Sequence, residues 1–176
     1  MKIAVISYVS LGWPMDSEMN EIISKVHELF TNQKLTLSVA ESCTGGLISH
    51  WITSAPGASI FFRSGIVAYS RDSKEDILNV SDDVIKKFGM VSKEVAIEMA
   101  ERVRLLTKTD YSVSTTGNLG PDVLEGKNLG LIYVAVSKEG RTISKELTLR
   151  GNRDQNKIDA SIAALTILIN MVDTEK

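Results

Sequence analysis

Three adjacent residues, Ser42, Cys43 and Thr44, each carry a hydroxyl or a thiol and lead straight into Gly45 and Gly46. An alternating apolar run, "LTLSVA", precedes them and a helically spaced one follows, so the order is strand, tight turn, helix. Ser42 falls at the turn and the glycines at the helix start. Unpaired backbone N–H groups at such a start favour an anion, either a substrate phosphate or the oxyanion of an acyl-transfer intermediate. A serine at the turn presents its hydroxyl where those amides point. The competing reading, commoner for a stretch of this kind, is that Ser42 or Thr44 caps the helix while the glycines permit close packing. Cys43 offers the stronger nucleophile, but no histidine lies near it in sequence to depress its pKa, so a small buried residue is expected there.

A nucleophilic serine needs a base. His27 and His50 both fall inside helical segments and read as packing or surface residues, and no Ser-His-Asp pattern is present. A lysine held neutral by desolvation or by neighbouring cations can replace histidine. Lys74 is the candidate: "GIVAYSRDSK" places it just past a strand end, with Tyr69 at the strand edge and Arg71 close by. Taken alone, a lysine in "RDSKED" is more often a solvated charge. Two further clusters suit ligand binding. In "STTGNLGP" a strand ends in Thr115, Thr116 and Gly117, at the position where open α/β sheets bind ligands. An ordinary glycine turn is the alternative. "RGNRDQNK" sets Arg150, Arg153 and Lys157 around the start of the last helix, where arginine can clamp a phosphate or merely decorate the helix entrance.

The elements around these residues follow from periodicity. Residues 2 to 9 are expected to form a strand or ordered arm, and "SEMNEIISKVHELF" a helix with Met19, Ile22, Ile23, Val26, Leu29 and Phe30 on its apolar face. A second helix is expected over "TGGLISHWITSA", stopped by Pro56 and Gly57. "GIVAYS" reads as a strand, "RDSKEDILNV" as a helical turn or two, and Ser92 opens a helix running through "KEVAIEMAERVRLLT". "YSVSTTG" is a buried strand running into a loop from Gly117 to Gly130. "LGLIYVAVS" and "RTISKELTLR" pair as a hairpin, and a helix over about 153–172 closes the chain. Strands alternating with helices, plus one hairpin, predict a three-layer α/β/α domain with a mixed sheet. The last helix is apolar on most sides, which predicts burial against the sheet or against a second copy in a homo-oligomer.

Composition narrows the function. The 176 residues suit one domain, expected over 17–176, with residues 1–16 as an extension. Twenty Lys and Arg against 22 Asp and Glu give a net charge of -2 without a long block of either sign, which argues against nucleic acid or an anionic membrane as partner. No run reaches the roughly 20 apolar residues needed to span a bilayer, and no convincing signal peptide is present, so a cytoplasmic protein is expected. One cysteine and two histidines make a structural zinc site unexpected.

Together "LTLSVAESCTGGLISHWIT", "PGASIFFRSGIVAYSRDSK", "GMVSKEVAIEMAERVR", "TGNLGP" and "RGNRDQNKI" resemble the C-terminal domain of the CinA (competence/damage-inducible) family over residues 17 to 172. The resemblance implies an amidohydrolase that converts nicotinamide mononucleotide to nicotinic acid mononucleotide and ammonia, in pyridine nucleotide salvage, with no metal or organic cofactor. It implies Ser42 as nucleophile, Lys74 as base and Tyr69 as a third catalytic residue, either orienting Lys74 or donating to the amide. Thr44, Gly45, Gly46, Thr116, Gly117 and Arg153 are then expected to cradle the nucleotide. The sequence departs from the family in three places. Arg71 stands where asparagine is usual, either lowering the pKa of Lys74 by repulsion or disturbing the site. Asn118 and Leu119 replace an apolar-Ala pair, and "PDVLEGKN" replaces a glycine-rich loop. The separate N-terminal nucleotide-processing domain of longer members has no counterpart in this sequence, so its activity is not expected. These departures support an alternative, a catalytically silent nucleotide-binding or regulatory module of the same fold. A hydrolase for another small amide is a third possibility.

Overall fold

The computed structural model describes residues 17–122 and 125–174, so the expected N-terminal strand or arm lies outside the described residues. The amphipathic run after Ser17 forms α1 (Ser17–Asn32), followed by β1 (Leu37–Glu41), α2 (Leu47–Ser54), a 3₁₀ turn (Ala58–Ile60) and β2 (Phe62–Val67). Next come α3 (Arg71–Asp76), α4 (Asp82–Phe88), α5 (Lys93–Thr107), β3 (Tyr111–Gly117), β4 (Leu131–Lys138), β5 (Arg141–Thr148) and α6 (Arg153–Asp173). The sheet order is β2-β1-β3-β4-β5. β1 runs parallel to β2 and β3, while β4 runs antiparallel to its neighbours β3 and β5, giving the mixed sheet expected.

The two-residue period of the strands sorts side chains between two helical layers. Leu37 and Val39 of β1 and Val113 of β3 join the core under α1, α2 and α6. Ala40 faces the other way, toward Val95, Met99 and Val103 of α5 and Ile85 of α4. On that side β3 presents Ser112 and Ser114, whose hydroxyls donate to the carbonyls of Ala100 and Ala96 at 2.6 and 2.5 Å. Alanine at these two α5 positions leaves no bulk between helix and strand, so small residues allow strand hydroxyls to reach the helix backbone.

Three elements differ from expectation. The second helix begins at Leu47 rather than Thr44, because Gly46 at φ 96° is left-handed and ends the turn there. β2 spans Phe62–Val67, earlier than "GIVAYS", which leaves Ala68 to Ser70 as the connection to α3. α4 was not expected, since its one buried residue, Ile85, gives too little apolar periodicity to read. The apolarity of α6 is used inside the chain: Ala160, Ala164, Leu165, Leu168, Met171 and Val172 are buried, and the helix packs on α1, α2, β3 and β4. Large exposed apolar side chains occur elsewhere, including Ile60, Val67, Ile77, Leu105 and Leu106. No helix among the described residues is long and apolar enough to cross a membrane.

Candidate active site

β1 sits between two parallel neighbours, and its Glu41 pairs in register with Val67 of β2 and Thr115 of β3. The chain leaves β1 toward α2 on one face and leaves β2 toward α3 to α5, whose main helix lies on the other face. That divergence opens a crevice at the carboxyl ends of the strands. Ser42 follows directly, its amide donating to the Thr115 carbonyl at 3.0 Å, while the Ala68 amide donates to the Glu41 carbonyl at 2.8 Å.

The anion expected at the start of α2 is supplied by the chain itself. The buried Glu41 side chain accepts through Oε2 from Thr44 Oγ1 (2.7 Å), the Gly46 amide (3.0 Å) and the Ile48 amide (3.1 Å). Through Oε1 it accepts from the Ser49 amide (2.9 Å) and hydroxyl (2.7 Å). Three of these five donors, the amides of Gly46, Ile48 and Ser49, are helix-start amides that would otherwise lack partners. Three residues expected at the ligand thus have partners inside the turn. Thr44 is fully buried and shared between Glu41 and Thr115 Oγ1, the latter at 2.8 Å. The Gly45 amide donates to the Ser42 carbonyl at 3.1 Å within the turn, and the Gly46 amide belongs to Glu41. Both glycines have positive φ, at 61° and 96°, so they serve the turn. The amides of Cys43 and Thr44 follow Ser42 directly in the turn, between the Ser42 amide bonded to Thr115 and the Gly45 amide bonded to Ser42.

Lys74 is 1% exposed, and its Nζ donates to Ser42 Oγ at 2.9 Å. It also donates to the carbonyls of Ala68 (2.7 Å) and Tyr69 (3.3 Å). α3 is anchored by a capping box in which the Ser73 amide donates to Ser70 Oγ (3.1 Å) and the Ser70 amide to Ser73 Oγ (3.0 Å). The "YSRDSK" serines thus set where the lysine starts. Burial lowers the Lys74 pKa from 10.5 to about 8, against smaller opposing effects from Cys43 and Glu125. Burial also pushes the Cys43 thiol up to about 12, so near neutral pH it is an uncharged neighbour that cannot hold the lysine's proton. The Lys74 shift comes from burial rather than from Arg71, whose guanidinium is engaged by Glu75 at 2.7 Å and by Asp82.

Beside Ser42 opens a cleft of about 370 Å³, bounded by Cys43, Tyr69, Arg153 and the segment from Gly117 to Asp122. Arg153 spans it, donating to the Gly120 carbonyl and to the Tyr69 hydroxyl, the latter at 2.9 Å. Tyr69 therefore reaches Lys74 through its backbone carbonyl, while its ring hydroxyl belongs to Arg153. Gly117 forms the wall where a side chain would meet Ile132 at 2.7 Å. Thr116, expected to touch the nucleotide, instead donates its hydroxyl to the Met90 carbonyl at 2.8 Å and is buried. Glu125 and Lys127 tie the chain beyond the cleft to residues 88–91. Glu125 accepts from the Met90 amide at 2.8 Å, and Lys127 donates to the Phe88 and Val91 carbonyls at 2.6 and 2.7 Å.

Sequence reasoning overlooked Glu41 and the buried hydroxyl contact of Thr115 with Thr44. A carboxylate closing an apolar strand three residues before a threonine, with no cation nearby, was the available sign for Glu41.

A serine and a buried lysine in hydrogen-bond contact, at the carboxyl edge of a mixed α/β sheet, define the class of site. The signature of the CinA C-terminal domain matches residues 19–172, and the chain belongs to that family. It is 43% identical over 154 residues to a protein of Caldanaerobacter subterraneus subsp. tengcongensis described as a competence-damage inducible protein. A similarly described Thermoanaerobacter pseudethanolicus protein is 41% identical over 154 residues. Each match covers 87% of this chain, which spans about 37% of the length of those relatives. Among solved structures, the competence/damage inducible protein CihA from Agrobacterium tumefaciens superposes with a TM-score of 0.85 at 30% identity, covering 88% of this chain and 96% of that one. A competence or damage-inducible protein from Enterobacter asburiae gives 0.86 at 26% identity, covering 89% and 99%.

Proposed function

We propose that the protein is an amidohydrolase that deamidates nicotinamide mononucleotide to nicotinic acid mononucleotide and ammonia through a Ser-Lys pair. The observation that carries the reading is the 2.9 Å contact between Lys74 Nζ and Ser42 Oγ at a buried position. A neutral amine holding its two N–H bonds on Ala68 and Tyr69 directs its lone pair at Ser42, the arrangement a general base needs. Ser42 Oγ attacks the carboxamide carbon as its proton passes to Lys74. The oxyanion falls to the amides of Cys43 and Thr44. Collapse of the tetrahedral intermediate breaks the C–N bond, and Lys74 returns the proton to the departing ammonia. Water, deprotonated by Lys74, then cleaves the Ser42 ester and frees the acid. The mononucleotide as substrate rests on the family resemblance. A cleft of about 370 Å³ with a guanidinium at its mouth suits a small anionic ligand.

The features that suggested a silent module have structural roles compatible with activity: Arg71 is ion-paired away from the lysine, and the loop is tied to residues 88–91. Incubation with nicotinamide mononucleotide, following ammonia and the acid, is expected to show turnover. Ser42→Ala and Lys74→Ala should each lower it by roughly a thousandfold or more while keeping the fold. Full turnover in either variant rejects the pair.

A further inference from the structure

The cleft wall after β3 carries a polar side chain that the fold holds in place but does not use up. Asn118 is 2% exposed, and its backbone is fixed at both ends: its amide donates to the Leu131 carbonyl at 2.8 Å, and its carbonyl accepts from the Gly130 amide at 2.7 Å. Its side-chain Nδ2 donates to the Lys127 carbonyl at 3.1 Å. That bond sets the orientation of the amide, because the reversed side chain would face one carbonyl oxygen with another. Oδ1 accepts no hydrogen bond from the described residues. The space that Asn118 lines is the cleft it shares with Ser42.

An acceptor-only atom held beside a nucleophile selects for a donor on the ligand. We propose that Asn118 is a specificity-determining residue that distinguishes the amide from the acid, its Oδ1 accepting from the substrate's carboxamide N–H. The assignment rests on the deamidase reading. Hydrolysis replaces that N–H₂ group with a second carboxylate oxygen, so the contact that favours substrate turns to repulsion against product and promotes its release. A site built to satisfy an N–H group discriminates against ligands that lack one.

The test uses the Ser42→Ala protein, which binds without turnover, and compares dissociation constants for nicotinamide mononucleotide, nicotinic acid mononucleotide and the methyl ester of that acid. With Asn118 present, the amide should bind about tenfold more tightly than the ester, which has no N–H, and more tightly still than the acid. Adding Asn118→Leu should bring the amide-to-ester ratio close to one. General damage to the loop weakens all three ligands together and leaves the ratio unmoved. The same holds if Asn118 contacts a ribose hydroxyl, and an unmoved ratio overturns the proposal. Loss of the preference in Asp122→Ala instead would transfer the role to Asp122 and likewise overturn it. The ligand comparison needs no Asn118 variant, so equal binding of amide and ester counts against the proposal even if Asn118→Leu does not fold. Absence of turnover by the wild-type protein removes the deamidase reading and this assignment with it. Turnover with an unmoved ratio removes the assignment alone.

Discussion

Lys74 meets two opposed requirements, contact with Ser42 and loss of its own proton. Burial supplies the second by bringing the pKa to about 8, so roughly a tenth of the side chain is neutral at pH 7. The neutral amine is the active form, so kcat/KM should rise with a log-log slope near one from pH 6 to 8 and level off above. A solvated lysine would place that limb more than two pH units higher. A pH-rate profile on nicotinamide mononucleotide decides the matter: a limb still rising at pH 10 would deny that burial tunes the base. Ser42, Lys74 and Arg153 were legible in the sequence because their spacing and flanking motifs are local. The pairing itself was not, since a lysine in "RDSKED" looks solvated until the sheet brings it against a residue 32 positions earlier. The internal partners of Thr44 and Thr116 were hidden for the same reason. A hydroxyl beside a glycine turn looks free until its partners, Glu41 and the Met90 carbonyl, arrive from other elements.

Helix α2 is only eight residues long, and Gly46 at its N-cap makes no side-chain cap hydrogen bond, so its start depends on Glu41. One carboxylate receives five donors there, two of them hydroxyls and three of them backbone amides. Glu41→Gln replaces an acceptor oxygen with an N–H₂ group facing those donors and removes the charge that complements the helix dipole. The expected cost is about 3 kcal/mol, read as a lowered urea midpoint at unchanged m-value. A fall in kcat should accompany it, because the same turn holds Ser42. A variant within 0.5 kcal/mol of wild type, a range marking roughly the noise of surface substitutions, would show that the turn stands without its internal anion. At this scale the sequence displayed the long elements well. α1, α5, α6 and the β4-β5 hairpin carry enough period to be read, whereas the start of α2 was misplaced and α4 was missed. Both failures occur where one glycine or one buried side chain fixes the boundary and tertiary contacts provide the rest.

For the molecule as a whole, the buried lysine makes the site a cost to stability with a definite pH signature. The folded Lys74 pKa of about 8 lies below the 10.5 of an unfolded lysine. Between those values the unfolded chain holds a proton that the folded chain has released, so stability rises with pH, and it falls again as pH drops back through 8. Cys43 acts with the opposite sign. Its folded pKa of about 12 exceeds the ordinary 9.0, so its contribution is complete below pH 9 and is lost above it. Tyr133, raised from 10.0 to about 12 by burial and by Glu146, has the same sign as Cys43 and begins higher still. Between pH 8 and 9 the lysine should add about 1 kcal/mol, of which the first ionisation of Cys43 in the unfolded chain removes about 0.4 kcal/mol. Urea unfolding at those two pH values, comparing wild type with Lys74→Met, tests this directly. The variant should be the more stable protein at pH 7, inactive, and without that rise, since a buried thioether carries no charge to desolvate. Equal slopes in the two proteins would mean that Lys74 is already solvated in the folded state, and the case for it as a neutral base would fail with the linkage.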